Sequence, residues 1–234
     1  MYRTRVKICG LTREADVAAA VQAGADAIGF VLYAHSPRGI TPERAGELAR
    51  ALPPFVTPVL LFVNASPEHI GRGLAAVPNA VLQFHGDESV ADCAAAGRAY
   101  LRAARIPGGA AAAAFDLLKY AQDYAGAQAL VLDALVEGYG GGGQTFDWTA
   151  FPWSHPLLNA SARLVLSGGL GPANVADGIR QLRPWAVDVS SGVESSKGIK
   201  DAGLMHAFVA AVRAADTSLQ RPNSSRAGGS ACGP

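Results

Sequence analysis

Short aliphatic runs recur along the chain at Arg5–Cys9, Ala27–Leu32, Thr57–Val63, Ala80–His85, Leu101–Ile106, Ala129–Asp133, Leu164–Ser167 and Val187–Ser190, and their length and β-branched content predict eight strands. Longer Ala-rich stretches lie between most of them. Glu14–Ala23, Pro42–Leu52, Pro67–Ala76, Glu88–Ala96, Ala110–Tyr124, Pro172–Leu182 and Asp201–Ala214 predict helices. Thr12, Thr41, Ser66 and Gly171 stand where helix N-termini want a capping residue, and Pro42, Pro67 and Pro172 sit at first-turn positions that need no N–H donor.

Strands that alternate with helices are parallel and joined by right-handed crossovers. Uninterrupted runs such as Val59-Leu60-Leu61-Phe62-Val63 fit strands covered on both faces. Eight units in a chain of this length predict a single closed (β/α)8 TIM barrel, an open doubly wound sheet being the alternative. The sixth crossover, Glu137–Ala162, contains a run of four glycines and lacks an amphipathic helix, so an irregular connection is expected there. From Asp216 onward the chain is polar with one large aliphatic residue. This divides it into a barrel domain, 1–215, and a disordered tail, 216–234.

Composition narrows the function. The 234 residues are 50% hydrophobic and 17% charged, with 20 Lys plus Arg against 19 Asp plus Glu. A net charge of +1 gives no reason to expect nucleic acid or an anionic membrane as partner. No apolar run approaches the roughly 18 residues of a membrane span, and the N-terminus lacks a signal-peptide core, so the cytosol is the expected compartment. Cys9, Cys93 and Cys232 are odd in number and irregularly spaced, which argues for free thiols. His35, His69, His85, His155 and His206 are too scattered to argue a metal site.

In such a barrel the chemistry gathers at the C-terminal ends of the strands. Those ends carry Cys9, His85, Asp133, Ser167-Gly168-Gly169 and Ser190-Ser191-Gly192. The glycine-rich loops after strands seven and eight offer backbone N–H groups, and the helix predicted from Pro172 adds a dipole. Gly168, Gly169, Ser190, Ser191 and Gly192 are therefore candidates for binding a phosphate monoester. Asp133 follows Leu130-Val131-Leu132 and needs a partner or a raised pKa. A thiol and a carboxyl on one rim suit a base and an acid. His85 and Arg38 are candidate substrate contacts, Arg38 for an anionic group. Asp188, between two valines, needs a substrate hydroxyl or a neighbouring donor.

Several stretches taken together resemble the phosphoribosylanthranilate isomerases of tryptophan biosynthesis. They are Val6-Lys7-Ile8-Cys9-Gly10-Leu11-Thr12, Gly24-Ala25-Asp26-Ala27-Ile28-Gly29-Phe30, Leu82-Gln83-Phe84-His85-Gly86, Gly143-Gln144-Thr145-Phe146-Asp147-Trp148, Leu166-Ser167-Gly168-Gly169-Leu170 and Val187-Asp188-Val189-Ser190-Ser191-Gly192-Val193-Glu194, in family order. The resemblance implies a cofactor-independent Amadori rearrangement of N-(5-phosphoribosyl)anthranilate by a monomer or homodimer. It implies Asp133 as general acid, Cys9 as general base with a modestly depressed pKa, Arg38 near the anthranilate carboxylate and Asp188 near the sugar hydroxyls. Gly39, Arg102 and the Lys197–Asp201 stretch depart from the usual family pattern. The related histidine-pathway isomerase fits less well, because that family has an Asp where Cys9 stands and an internal half-barrel repeat. A non-catalytic phosphate-binding barrel or a thiol redox sensor is the alternative of a different class.

Overall fold

The alternation closes on itself. In the computed structural model, which describes residues 3–108, 111, 114–134, 155, 158 and 163–220, eight parallel strands form a barrel in the order β1 to β8, with β8 paired back to β1. They are β1 Arg5–Cys9, β2 Ala27–Val31, β3 Thr57–Phe62, β4 Val81–Phe84, β5 Tyr100–Ile106, β6 Ala129–Ala134, β7 Leu164–Leu166 and β8 Ala186–Val189. Around them lie α1 Glu14–Ala23, α2 Pro42–Ala49, α3 Pro67–Ala76, α4 Val90–Ala95, α5 Leu117–Asp123, α6 Val175–Leu182 and α7 Ala202–Gln220. A 3-10 turn, Ser191–Val193, and a small hairpin, β9 Glu194–Ser196 with β10 Ile199–Lys200, follow β8. No helix among the described residues is long and apolar enough to cross a membrane.

Several helix starts depart from the sequence reading. Thr41 and Ser66 do cap α2 and α3, accepting from the amides of Arg44 and His69. Thr12 does not cap α1; its hydroxyl donates to the Gly198 carbonyl. Ser89 and Asp92 form a reciprocal capping box, so α4 starts at Val90 and Glu88 is left in the loop. Pro172–Asn174 make a turn, and α6 opens only at Val175. Asp116 caps α5, so the segment before Leu117 is not part of it.

The boundary at Ala215 is also corrected. Helix α7 runs to Gln220, and Asp216 is buried, accepting hydrogen bonds from the Thr4 amide (2.9 Å) and the Thr4 hydroxyl (2.6 Å). The Phe208, Val212, Ala215, Leu219 stripe continues the helical period past the expected end. The rest of the proposed tail, 221–234, and the sixth crossover other than positions 155 and 158, lie outside the described residues.

Two-residue periodicity decides what the barrel interior holds. Outward positions such as Ile8, Ile28, Phe30, Leu60, Phe62, Leu82, Leu132 and Val187 pack under the helices in the main core. Inward positions near the N-terminal end, Ala103, Ala129, Val131, Val165 and Ala186, form a small apolar plug. Above it the interior turns polar.

Candidate active site

The polar upper layers are built from alternate residues on five strands or their first loop positions: Cys9, Gln83, His85, Asp133, Ser167, Asp188 and Ser190 share one cavity with Arg38. Its free space is about 470 Å³. Each side chain is there because its neighbours in sequence are outward-facing core residues.

Cys9 is buried, and β2 makes room for it. Gly29 pairs with it in register, and a Cβ at that glycine would lie 2.6 Å from Sγ. One layer below, Lys7 Nζ donates to Asp188 Oδ2 at 2.7 Å, from a register pair of β1 and β8. Asp188 thus finds the neighbouring donor that its burial requires, while its Oδ1 is buried without a hydrogen-bond partner. The sequence expectation of a depressed thiol pKa is not met. Burial pushes the Cys9 thiol up, the Lys7 charge opposes this, and the Asp188 charge adds to it.

Asp133 meets its requirement through a partner. His85 Nε2 lies 3.1 Å from its Oδ2, and Gln83 Nε2 lies 3.1 Å from His85 Nδ1. With the Gln83 amide donating, the ring carries its proton on Nε2 and points it at Asp133. The loop after β4 that carries His85 and Gly86 is fixed from outside the barrel. Arg102 donates to the Phe84 and Gly86 carbonyls and to Glu88, and Glu88 accepts from the Asn64 and Gly86 amides. Tyr124 stacks on the Arg102 guanidinium at 4.8 Å.

Arg38 is neither exposed nor unengaged. Its Nε and Nη2 form a two-pronged ion pair with Glu194, both at 2.7 Å, leaving Nη1 without a hydrogen-bond partner among the described residues. Lys200 Nζ donates to the same carboxylate at 2.7 Å and to the Ser190 carbonyl at 3.0 Å, and the Ser190 hydroxyl donates to the Cys9 carbonyl. Burial works against the Glu194 charge, but Arg38 and Lys200 together hold its pKa below the usual carboxylate range. Gly39, where the family usually has an aromatic, closes a tight turn on Ser36, and a Cβ there would meet the Tyr33 carbonyl at 2.5 Å.

Gly168 and Gly169 have φ of 80° and 62°, a region costly for other residues, and the amides of Gly168, Gly169 and Leu170 donate to no backbone carbonyl among the described residues. Gly171 is different: its amide donates to Asn174 Oδ1, and Asn174 Nδ2 donates to the Gly169 carbonyl. Any anion here would meet loop amides rather than the first turn of α6. The loop after β8 lies directly against this one, since a Cβ at Gly192 would run into the Leu170 carbonyl. Ser191 and Gly192 open the 3-10 turn at that contact.

A larger cavity, about 940 Å³, opens at the opposite end of the barrel between Arg3, Arg5, Phe55, Trp185 and neighbouring side chains. It lies on the face that stabilises rather than reacts, and size alone does not decide where the chemistry is. Cys9, His85, Asp133 and Arg38 all line the smaller one. No cluster of three His, Cys, Asp or Glu side chains placed to hold a metal occurs among the described residues.

Residues 6–211 match the family described as N-(5'phosphoribosyl)anthranilate (PRA) isomerase. The chain belongs to the phosphoribosylanthranilate isomerase family. The N-(5'-phosphoribosyl)anthranilate isomerase of Methylibium petroleiphilum is 61% identical over 214 residues, which are 92% of this chain and 96% of that one. Solved relatives include monomers generated from the dimeric isomerase of Thermotoga maritima, 35% identical with a TM-score of 0.76. Another is an isomerase in complex with reduced 1-(o-carboxyphenylamino)-1-deoxyribulose 5-phosphate, 35% identical with a TM-score of 0.74. Each covers 90% of this chain and 99% of its own.

Every site residue expected from the family reading falls on one rim or its two glycine loops. Lys7, Gln83, Glu194 and Lys200 were not singled out from sequence. Lys7 and Gln83 are polar residues at inward positions of β1 and β4, which is the signal that the alternation carried.

Proposed function

We propose that this isomerase converts N-(5'-phosphoribosyl)anthranilate to 1-(2-carboxyphenylamino)-1-deoxyribulose 5-phosphate, the Amadori step of tryptophan biosynthesis, with Cys9 and Asp133 as the acid/base pair. The observation that carries this reading is the cavity itself. A thiol, a carboxyl and an arginine face one space beside two glycine loops with available amides.

The roles follow from the chemistry of the rearrangement. Asp133, carrying its proton on Oδ1 while Oδ2 accepts from His85, gives that proton to the furanose ring oxygen as the C1–O bond breaks, leaving a protonated Schiff base between C1 and the anthranilate nitrogen. The Cys9 thiolate takes the proton from C2, and the electron pair of that C–H bond forms the enolamine. Ketonisation moves the C2 hydroxyl proton to C1. Asp133 ends one proton short and Cys9 one proton richer, and exchange with solvent restores both. Only protons move, so the step uses no cofactor. Arg38 Nη1 faces the anthranilate carboxylate, Asp188 Oδ1 and His85 take the sugar end, and Gly168, Gly169, Ser190, Ser191 and Gly192 receive the phosphate. Incubation with phosphoribosylanthranilate tests the reaction. Its fluorescence should decay with formation of the rearranged product, and an unchanged signal would refute the assignment.

The partner is a phosphorylated small molecule in the cytosol, and we infer that the protein is a homodimer. Phe55 is fully exposed at φ 71°, in a Pro53–Val56 turn whose third position ordinarily takes glycine. A strained, solvent-facing phenyl ring at the mouth of an apolar cavity fits a second copy of the same face.

A further inference from the structure

We propose that Lys7 is a positioning residue for the isomerisation: its ammonium, anchored on Asp188 beneath the floor of the site, is the charge against which the Cys9 sulfur loses and regains its proton. The inference rests on the reading of Cys9 as the base. Lys7 is 4% exposed, and its side chain lies between the substrate cavity and the cavity at the N-terminal end. Asp188 needs a donor there, but barrel packing does not ask for the ion pair. The interior layer below it is Ala, Val and Leu, and an apolar pair in place of a buried ion pair is often no less stable.

The pair is also asymmetric. Asp188 gives one oxygen to Lys7 and keeps the other unpartnered, and an ammonium has two more protons than that bond uses. Lys7 and Cys9 are alternate residues of β1 that face the same interior, Lys7 one layer below the sulfur, so its ammonium bears on the thiol as a charge of opposite sign to the thiolate. Among the described residues, the charged groups that bear on the thiol include four. They are Lys7 on its own strand, Asp188 on β8, Lys200 on β10 and Arg38 in the loop after β2. Lys200 and Arg38 are both committed to Glu194, which cancels much of their field. Asp188 raises the thiol, but Lys7 outweighs it. Thus Lys7 is the group that limits the cost of placing a thiolate in this layer.

The test reads Cys9 directly, without turnover. The ultraviolet thiolate band is titrated as the difference between each protein and the same protein carrying Cys9→Ala. In Lys7→Met the Cys9 midpoint should rise by about one unit or more, the usual effect of removing an opposite charge at this range. Turnover near neutral pH should fall about tenfold and recover at higher pH, because one unit is tenfold in thiolate. Lys7→Arg keeps the charge and should keep the parent midpoint. If Lys7→Met does not fold because it strands Asp188, the charge-neutral Lys7→Met/Asp188→Asn protein is read instead, and its midpoint should also lie above the parent's. A folded variant with an unmoved Cys9 midpoint overturns the proposal. Near-parent turnover in Cys9→Ala overturns instead the assignment of Cys9 as base, whatever the titration gives.

Discussion

Replacing Asp216 by Ala tests how the last helix closes the barrel. The Asp216 carboxyl receives two hydrogen bonds from Thr4, at 2.9 and 2.6 Å, both buried and separated by 212 residues of chain. It thereby pins the C-terminal half of α7 to the segment entering β1. Hydrogen bonds to a charged partner contribute about 1.5–3 kcal/mol each, and truncating one side leaves a buried amide and a buried hydroxyl unsatisfied. The two bonds share one carboxyl and are not independent, so the expected loss is about 3–5 kcal/mol. For a chain of this size that corresponds to a melting temperature lower by about 10 °C. Asp216→Asn keeps one acceptor and should lose about half as much. Truncation after Ala215 removes the same group together with Leu219 and should cost at least as much as Asp216→Ala, whereas truncation after Gln220 keeps both and should cost less. Thermal unfolding by circular dichroism reads all four proteins. Turnover well below the transition should not change, since Cys9 lies at the far end of β1. A loss under about 1 kcal/mol in Asp216→Ala would refute the reasoning, because it would mean that water or a local shift satisfies Thr4 without cost.

Gly169→Val demands φ near 62° of a β-branched residue at the phosphate loop, so the KM for the phosphorylated substrate should rise well beyond any fall in kcat, and competitive inhibition by inorganic phosphate should weaken. Equal phosphate inhibition constants would place the phosphate elsewhere. Because burial holds the Cys9 thiol above its ordinary pKa and only the thiolate accepts a proton, kcat/KM should climb with pH through neutrality and level off only above the ordinary thiol value. A plateau already reached below neutral pH would contradict this. Phe55→Ser should give a monomer by sedimentation where the parent is a dimer, and identical sedimentation coefficients would remove Phe55 from the interface.

What the sequence made legible was whatever is local. Short apolar runs located all eight strands, and the position of Cys9 and Asp133 at strand ends put them on one rim, while Asp188 between two valines was marked as needing a donor. What escaped depends on contacts between distant segments. Arg38 reads from sequence as a loop cation for a substrate anion, and nothing local shows that Glu194, 156 positions later, already takes two of its nitrogens. Glu88 reads as the first turn of a helix, but Ser89 with Asp92 is the stronger cap and frees Glu88 to hold Arg102. The end of α7 was hidden because Asp216 is polar and its partner, Thr4, lies at the other terminus. The Leu219 position that continues the apolar stripe was the available clue. The upward push of burial on the Cys9 thiol also escaped, because depth of burial is set by the closed barrel and by no neighbour in sequence.

Turnover of phosphoribosylanthranilate by Cys9→Ala and by Asp133→Asn, each confirmed as folded by its melting curve, tests the central claim most directly. A positioned proton-transfer group contributes about 10²–10⁴-fold, so each variant should lose at least about two orders of magnitude in kcat while still binding the product. Near-parent kcat in either one would contradict the pairing of these two residues as the acid and base of the rearrangement.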